Sequence, residues 1–307
     1  MRIVVTGHAG LVGRSLSDAL RRSGHEVLGV DLRAIEGSAG DFRGERMRQM
    51  LEGPVDGVIH LAAISRVAWG EADPALCHAI NVEGTRILAE AMRERAPDAW
   101  LLFASSREVY GDPDRPLVRE DDPLEPVNHY GRSKLEGEHV VAAARDAGMR
   151  TAIVRLCNVY GAREDHPDRA VPSLVTRAAA GEPLTLTGGD CYFDFVHVRD
   201  VVSGILRLVA LLGAGESSVP TVHLATGRAT TLRQLADVAI RATGSASSIH
   251  EVEARSFDVG GFCGAPDFAE QVLGWRASVP LEQGLAEVAE DIRANGPLAP
   301  FPLSALS

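Results

Sequence analysis

The sequence predicts an α/β fold in which a doubly wound parallel sheet is followed by a smaller C-terminal α/β lobe. Three observations predict it. Short β-branched and apolar runs alternate with segments of helical apolar spacing through the first half of the chain. The runs are apolar along their whole length, as strands covered on both faces are, and strands separated by helices pair in parallel through right-handed crossovers. The 307 residues, 45% hydrophobic and 24% charged, suffice for one large sheet domain with an added lobe.

Residues 3–5, Ile-Val-Val, end at a glycine-rich turn and read as the first strand. Residues 11–22 carry apolar side chains at helical spacing and stop before Gly24, so they read as the first helix. The alternation continues with strands at 26–30, 55–60, 100–104 and 150–156, and with helices at 74–94 and 133–145. Beyond Asn158 the pattern loosens, and Pro167, Pro172, Pro183 and Pro220 punctuate shorter elements. Helices are expected there at 201–212, 232–242, 267–273 and 281–294. The sheet domain is therefore placed at 1–157, with the chain re-entering it around 195–213. Residues 158–194 and 214–307 are assigned to the lobe.

Composition narrows the function. With 31 Lys and Arg against 42 Asp and Glu, the net charge of −11 gives no broad basic surface for nucleic acid or an anionic membrane. Any anionic ligand must be held by local groups. Cys77, Cys157, Cys191 and Cys263 form no CxxC pair, so no metal site or disulfide framework is expected, and a reducing cytoplasm is the expected compartment. No apolar run approaches the ~20 residues of a membrane span, and the start is too short for a signal segment.

The turn Gly7-His8-Ala9-Gly10-Leu11-Val12-Gly13 lies between the first strand and the first helix. Glycines let backbone approach a pyrophosphate, and the helix N-terminus offers N–H groups and a positive dipole. Asp31 ends the second strand, where a carboxylate accepts hydrogen bonds from an adenosine ribose and repels a 2′-phosphate, favouring NAD over NADP. Arg33, close by, is the residue that could blur this preference. Tyr130 and Lys134 stand one helical turn apart. A free Tyr ionises near pH ~10, and a neighbouring ammonium stabilises its phenolate as a general base. Ser105 and Ser106 follow the fourth strand, whose carboxyl end borders the ligand crevice of such sheets.

Taken in order, Gly7-x-x-Gly10-x-x-Gly13, Asp31, His60-Leu61-Ala62-Ala63, Asn81-Val82-x-Gly84-Thr85, Ser105-Ser106-x-x-Val109-Tyr110-Gly111, Tyr130-x-x-x-Lys134 and Asn158-Val159-Tyr160-Gly161 form one set. The set resembles the extended short-chain dehydrogenase/reductases, and among them the nucleotide-sugar epimerase/dehydratase branch. The resemblance implies a Rossmann domain that binds NAD and a lobe that binds a nucleoside-diphosphate sugar. It implies a catalytic triad of Ser106, Tyr130 and Lys134: Tyr130 takes the 4-hydroxyl proton as hydride leaves C4, Lys134 binds the nicotinamide ribose, and Ser106 hydrogen-bonds the reacting oxygen. Gly7, Gly10, Leu11, Val12, Gly13 and Asp31 would line the cofactor, as would Asp41, Phe42, Leu61, Ala62, Ala63 and Asn81. Ser65, Ser106, Asn158 and Arg255 would touch the substrate. A homodimer built from residues 85–94 and 133–144 is implied too.

Two departures bear on the reaction. Phe193 stands where the branch commonly has an Arg that grips the substrate diphosphate, and Arg163, Arg169 and His166 are candidates to replace it. Dehydratases carry Glu two residues before the Tyr of the VYG segment, preceded by Asp or Ser; Glu108 fills that position, but Arg107 precedes it and would pair with it. This suits a base better than an acid that protonates a leaving hydroxyl. The expected reaction is NAD-dependent 4-epimerisation. A 4,6-dehydratase, a uronate decarboxylase or a 4-keto reductase using Glu108 is the alternative, as is an NAD-dependent dehydrogenase of a small hydroxy substrate.

Overall fold

The structure, a computed structural model, describes residues 1–33, 39–162, 164–217, 219–254 and 259–296. The chain begins with β1 (Arg2–Thr6), α1 (Leu11–Arg22), β2 (Glu26–Val30), α2 (Glu45–Leu51), β3 (Gly57–His60), α3 (Val67–Ala72), α4 (Pro74–His78), α5 (Gly84–Arg95) and β4 (Trp100–Ser106). It continues with α6 (His129–Asp146), β5 (Thr151–Leu156), β6 (Asn158–Tyr160), α7 (Ala170–Ala179), β7 (Leu184–Thr187), β8 (Tyr192–His197) and α8 (Val198–Gly213). The last elements are β9 (Val222–Leu224), β10 (Ala229–Thr231), α9 (Leu232–Thr243), β11 (Ile249–Val252), α10 (Asp267–Leu273) and α11 (Leu281–Asn295).

Six parallel strands form the main sheet in the order β2-β1-β3-β4-β5-β9. Both faces are covered, which explains the unbroken apolar runs: Ile3 and Val5 join one buried cluster with Leu16 and Leu20 of α1 and Ile205 and Leu208 of α8. Val4 points the other way, into a cluster with Met47 of α2, Leu88 and Met92 of α5 and Val141 of α6. Each such side chain is worth about 1.5–3 kcal/mol when fully buried. Because β2 and β3 flank β1, the winding reverses beside β1, and a crevice opens at the carboxyl ends of the strands.

The lobe is built on a three-stranded sheet, β10-β8-β6, and a parallel pair, β11-β7. Its own core gathers Val175, Leu184, Leu186, Leu235 and Leu285. Strands of three residues, such as β6 and β10, carry too little periodicity to be read from sequence. Val222–Leu224, equally short and expected in the lobe, is instead the sixth strand of the main sheet, paired with β5.

Two local differences matter for the crevice. The expected helix at 74–94 is interrupted by a π-helical segment, Ala79–Glu83. It carries Asn81, whose amide binds the backbone of Ile64 and the Ser133 hydroxyl. The helix expected from 133 starts at His129, because the Asn128 side chain accepts from Gly131 N at 2.7 Å and caps it. Tyr130 thereby enters the first helical turn.

Candidate active site

The glycine turn is fixed by contacts that admit no side chain. Gly7 has φ +71° and would place a Cβ 2.7 Å from the Ala62 nitrogen; a Cβ on Gly13 would come 2.1 Å from the Gly7 carbonyl oxygen. The N-terminus of α1 is left without a side-chain cap. Free N–H groups, a helix dipole and a backbone cradle together suit a pyrophosphate. The residues present therefore fit a dinucleotide. Asp31, buried, accepts from Ala9 N at 3.0 Å and Arg33 N at 2.7 Å, joining the end of β2 to the turn. The Arg33 guanidinium lies against Gly10, where a Cβ would meet Nη2 at 2.6 Å.

Ser106 ends β4, where its hydroxyl accepts from Glu108 N at 3.2 Å and faces the cavity that Tyr130 also lines. Lys134 lies one turn further along α6 and donates from Nζ to the Ala104 carbonyl at 2.8 Å. The ammonium was expected to favour the Tyr130 phenolate. Instead burial pushes Tyr130 up to about 12, with the Ser106 hydroxyl opposing it, and burial lowers Lys134 to about 8. The charged form of each is penalised where water is excluded.

Glu108 is buried beside this pair. Arg107 Nη2 meets its Oε1 at 2.7 Å and Asn128 Nδ2 donates to its Oε2 at 2.8 Å, so both carboxylate oxygens are engaged. Ser105 faces the other way and donates to Glu138 Oε1 at 2.5 Å, and Glu138 pairs with Arg155 at 2.8 Å. This buried ion pair fixes the strand on which Ser106 stands.

One cavity of about 530 Å³ joins these groups. Gly7, Gly10, Leu11, Val12 and Gly13 line it, with Asp31, Asp41 and Phe42 beyond them. Leu61, Ala62, Ala63 and Ser65 line the wall after β3; Ser106, Glu108, Tyr130, Lys134 and Asn158 line the far end. Asn158 Oδ1 is buried there without a hydrogen-bond partner. Burial works against the Asp41 charge, but the hydrogen bonds from Arg43 hold its carboxyl below the usual range. Asn81 lies behind the wall, its amide spent on Ile64 and Ser133, so it supports the lining without belonging to it. Arg255 and Arg163 lie outside the described residues. Of the other candidates to replace the Arg absent at 193, Arg169 pairs with Asp165 at 3.3 Å. His166 packs edge-on against Trp69, and burial, with the charge of Arg66, lowers it to about 4.

Sequence reading missed several participants. Asn128 holds both Glu108 and the start of α6; an Asn two residues before Tyr130 was the available signal, a helix cap. Arg155 interrupts an apolar strand, which marks a buried pair without naming Glu138 as its partner. Arg66, ion-paired with Asp168 across the cavity mouth, gives no sequence signal.

A profile of the NAD dependent epimerase/dehydratase family matches residues 3–219. The chain is 31% identical to the UDP-glucose 4-epimerase of Streptomyces lividans over 306 residues, covering 90% of this chain and 92% of that protein. MoeE5, solved in complex with UDP-glucuronic acid and NAD, superposes with a TM-score of 0.86 at 29% identity, covering 96% of this chain and 99% of that one. DesIV from Streptomyces venezuelae, a dTDP-glucose 4,6-dehydratase solved with NAD, gives 0.87 at 29% identity, covering 96% and 98%.

Proposed function

The chain belongs to the NAD-dependent epimerase/dehydratase family, and we propose that it inverts C4 of a nucleoside-diphosphate sugar through a transient 4-keto intermediate. The observation that carries the reading is that Ser106, Tyr130 and Lys134 stand together on the wall of the same cavity as the glycine cradle. The similar UDP-glucose 4-epimerase supports the same reaction and substrate class.

NAD is the cofactor; bound there it would supply the oxidant and then the reductant for C4. The turn from Gly7 to Gly13 and the N-terminus of α1 would hold its pyrophosphate, Asp31 its adenosine ribose and Lys134 its nicotinamide ribose. Tyr130 takes the proton of the 4-hydroxyl and returns it at the end. Ser106 donates to the same oxygen while it is a ketone, and keeps it fixed against Tyr130. Lys134, lowered by burial to about 8 and so still charged at pH 7, keeps an ammonium 6.0 Å from the Tyr130 ring centre. The cavity must also let the keto sugar turn over, so that C4 is reduced on its opposite face.

Glu108 favours a second reading in one respect: a buried carboxylate beside Ser106 is where a dehydratase or uronate decarboxylase would keep its acid or base. Against elimination, both of its oxygens already accept from Arg107 and Asn128. The test is incubation with UDP-, dTDP-, GDP- and CDP-sugars, with products read by mass and NMR. Unchanged mass with an inverted centre supports the epimerase; loss of one water supports the dehydratase; stoichiometric NADH supports a dehydrogenase. Glu108→Gln should retain epimerase turnover within about tenfold, whereas loss of ~10²-fold or more assigns Glu108 the acid-base role.

A homodimer through α5 and α6 belongs to the same proposal. Leu88, Ala91 and Val141 are buried within the subunit and Leu135 packs against its core, leaving Ile87 and Val140 for an interface. Light scattering at micromolar concentration tests it. A cytoplasmic location belongs to the same proposal: Cys77, Cys157 and Cys263 are buried thiols, and among the described residues no helix is long and apolar enough to cross a membrane.

A further inference from the structure

We propose that Arg107, seated on the ring of Phe193, holds an anionic oxygen of the substrate, either a phosphate or a sugar carboxylate. The inference rests on the sugar-nucleotide reading above and names a contact within it. Arg107 follows Ser106 directly and is only 7% exposed. Its Nη2 meets Glu108, which orients the guanidinium, while Nη1 is buried with no hydrogen-bond partner and the side chain lines the cavity. The guanidinium lies over aromatic rings: Cζ is 4.7 Å from the centre of Phe193 and 5.9 Å from that of Phe262.

A buried N–H on a cation is costly without an acceptor, so the arrangement is complete only when one enters the cavity. The neighbouring cations are already matched: Arg43 to Asp41, Arg66 to Asp168, Arg169 to Asp165, and Lys134 to the Ala104 carbonyl. With Nη2 taken by Glu108, Nη1 is left to meet an oxyanion, and guanidinium N–H groups bind phosphate and carboxylate oxygens in this way. Position 193 therefore supplies no charge of its own. Its ring seats a charge from β4, which brings the cation next to Ser106.

The experiment uses full-length, NAD-loaded protein. Wild type, Arg107→Met and Phe193→Leu are titrated by calorimetry with UDP-, dTDP-, GDP- and CDP-glucose, with the free nucleoside diphosphates, and with UDP-glucuronate. Arg107→Met should weaken binding by about 10- to 100-fold, the loss expected for one charged hydrogen bond. Weakening that includes the free diphosphates identifies a phosphate; weakening confined to UDP-glucuronate identifies the sugar carboxylate. Phe193→Leu keeps the Arg107–Glu108 pair and should weaken the same ligands by about 2- to 30-fold, so it decides the matter if Arg107→Met does not fold. Unchanged affinity in both variants for ligands that wild type binds overturns this inference alone. Failure of wild type to bind any of them overturns the sugar-nucleotide reading, and this inference with it.

Discussion

Replacing Lys134 with Met should stabilise the cofactor-free protein at pH 7 while abolishing its turnover. Lys134 is 4% exposed and burial lowers it from 10.5 to about 8. At about 1.4 kcal/mol per pH unit, charging it in the fold costs about 3 kcal/mol. Met fills a similar volume without charge but leaves the Ala104 carbonyl without its donor, which returns about 1 kcal/mol. The net gain of about 2 kcal/mol corresponds to roughly 4 °C in a chain of this size. Below pH about 8 the ammonium is charged in folded and unfolded chains alike, so the full cost is present. Between about 8 and 10.5 the unfolded chain still holds a proton that the folded protein has released, so wild-type stability rises relative to the variant. The advantage of Met should shrink through that window and reverse above it to a deficit of about 1 kcal/mol, where only the lost Ala104 hydrogen bond remains. Thermal melts of both proteins from pH 7 to 10.5 measure it. A variant less stable than wild type at pH 7, or a difference that does not change with pH, refutes the reasoning.

Tyr130→Phe should lose at least ~10²-fold in turnover and still bind nucleotide, as steady-state kinetics and a nucleotide titration will show. Asp31→Asn should weaken NAD by about 10- to 100-fold and narrow its preference over NADP, since the Asp31 carboxylate both joins the turn and faces the ribose position; equal wild-type affinity for NAD and NADP removes the premise. In Gly13→Ala the new Cβ would sit 2.1 Å from the Gly7 carbonyl oxygen, so NAD binding should fall below detection and the melting temperature should drop; a variant that binds NAD normally contradicts the cradle.

The cofactor end was legible because its residues encode backbone geometry locally. A glycine with φ +71° and another whose Cβ has no room must be glycines, and they sit within one turn of the chain. Strand identity was legible for a related reason: a sheet covered on both faces needs apolar residues at every position. The lobe was less so, since its strands pair three or four residues at a time and their partners lie far along the chain. Asn81 shows the limit at single residues. Its place in the ordered motif is plain from sequence, whereas the π-helical segment that turns its amide toward Ile64 is not.

The sequence by itself determined the α/β class, the glycine cradle, the Asp at the end of β2, and the spacing of Tyr130 and Lys134. These are local features, set by backbone sterics and by the period of a helix. Only the tertiary structure decided that burial, more than the neighbouring ammonium, governs Tyr130, that Glu108 is held on both oxygens, and that Arg107 lies over Phe193. Those outcomes depend on solvent exclusion and on pairings between residues as far apart as 107 and 193. No spacing rule reaches that far; the sheet and the lobe bring such residues together only once the chain has folded.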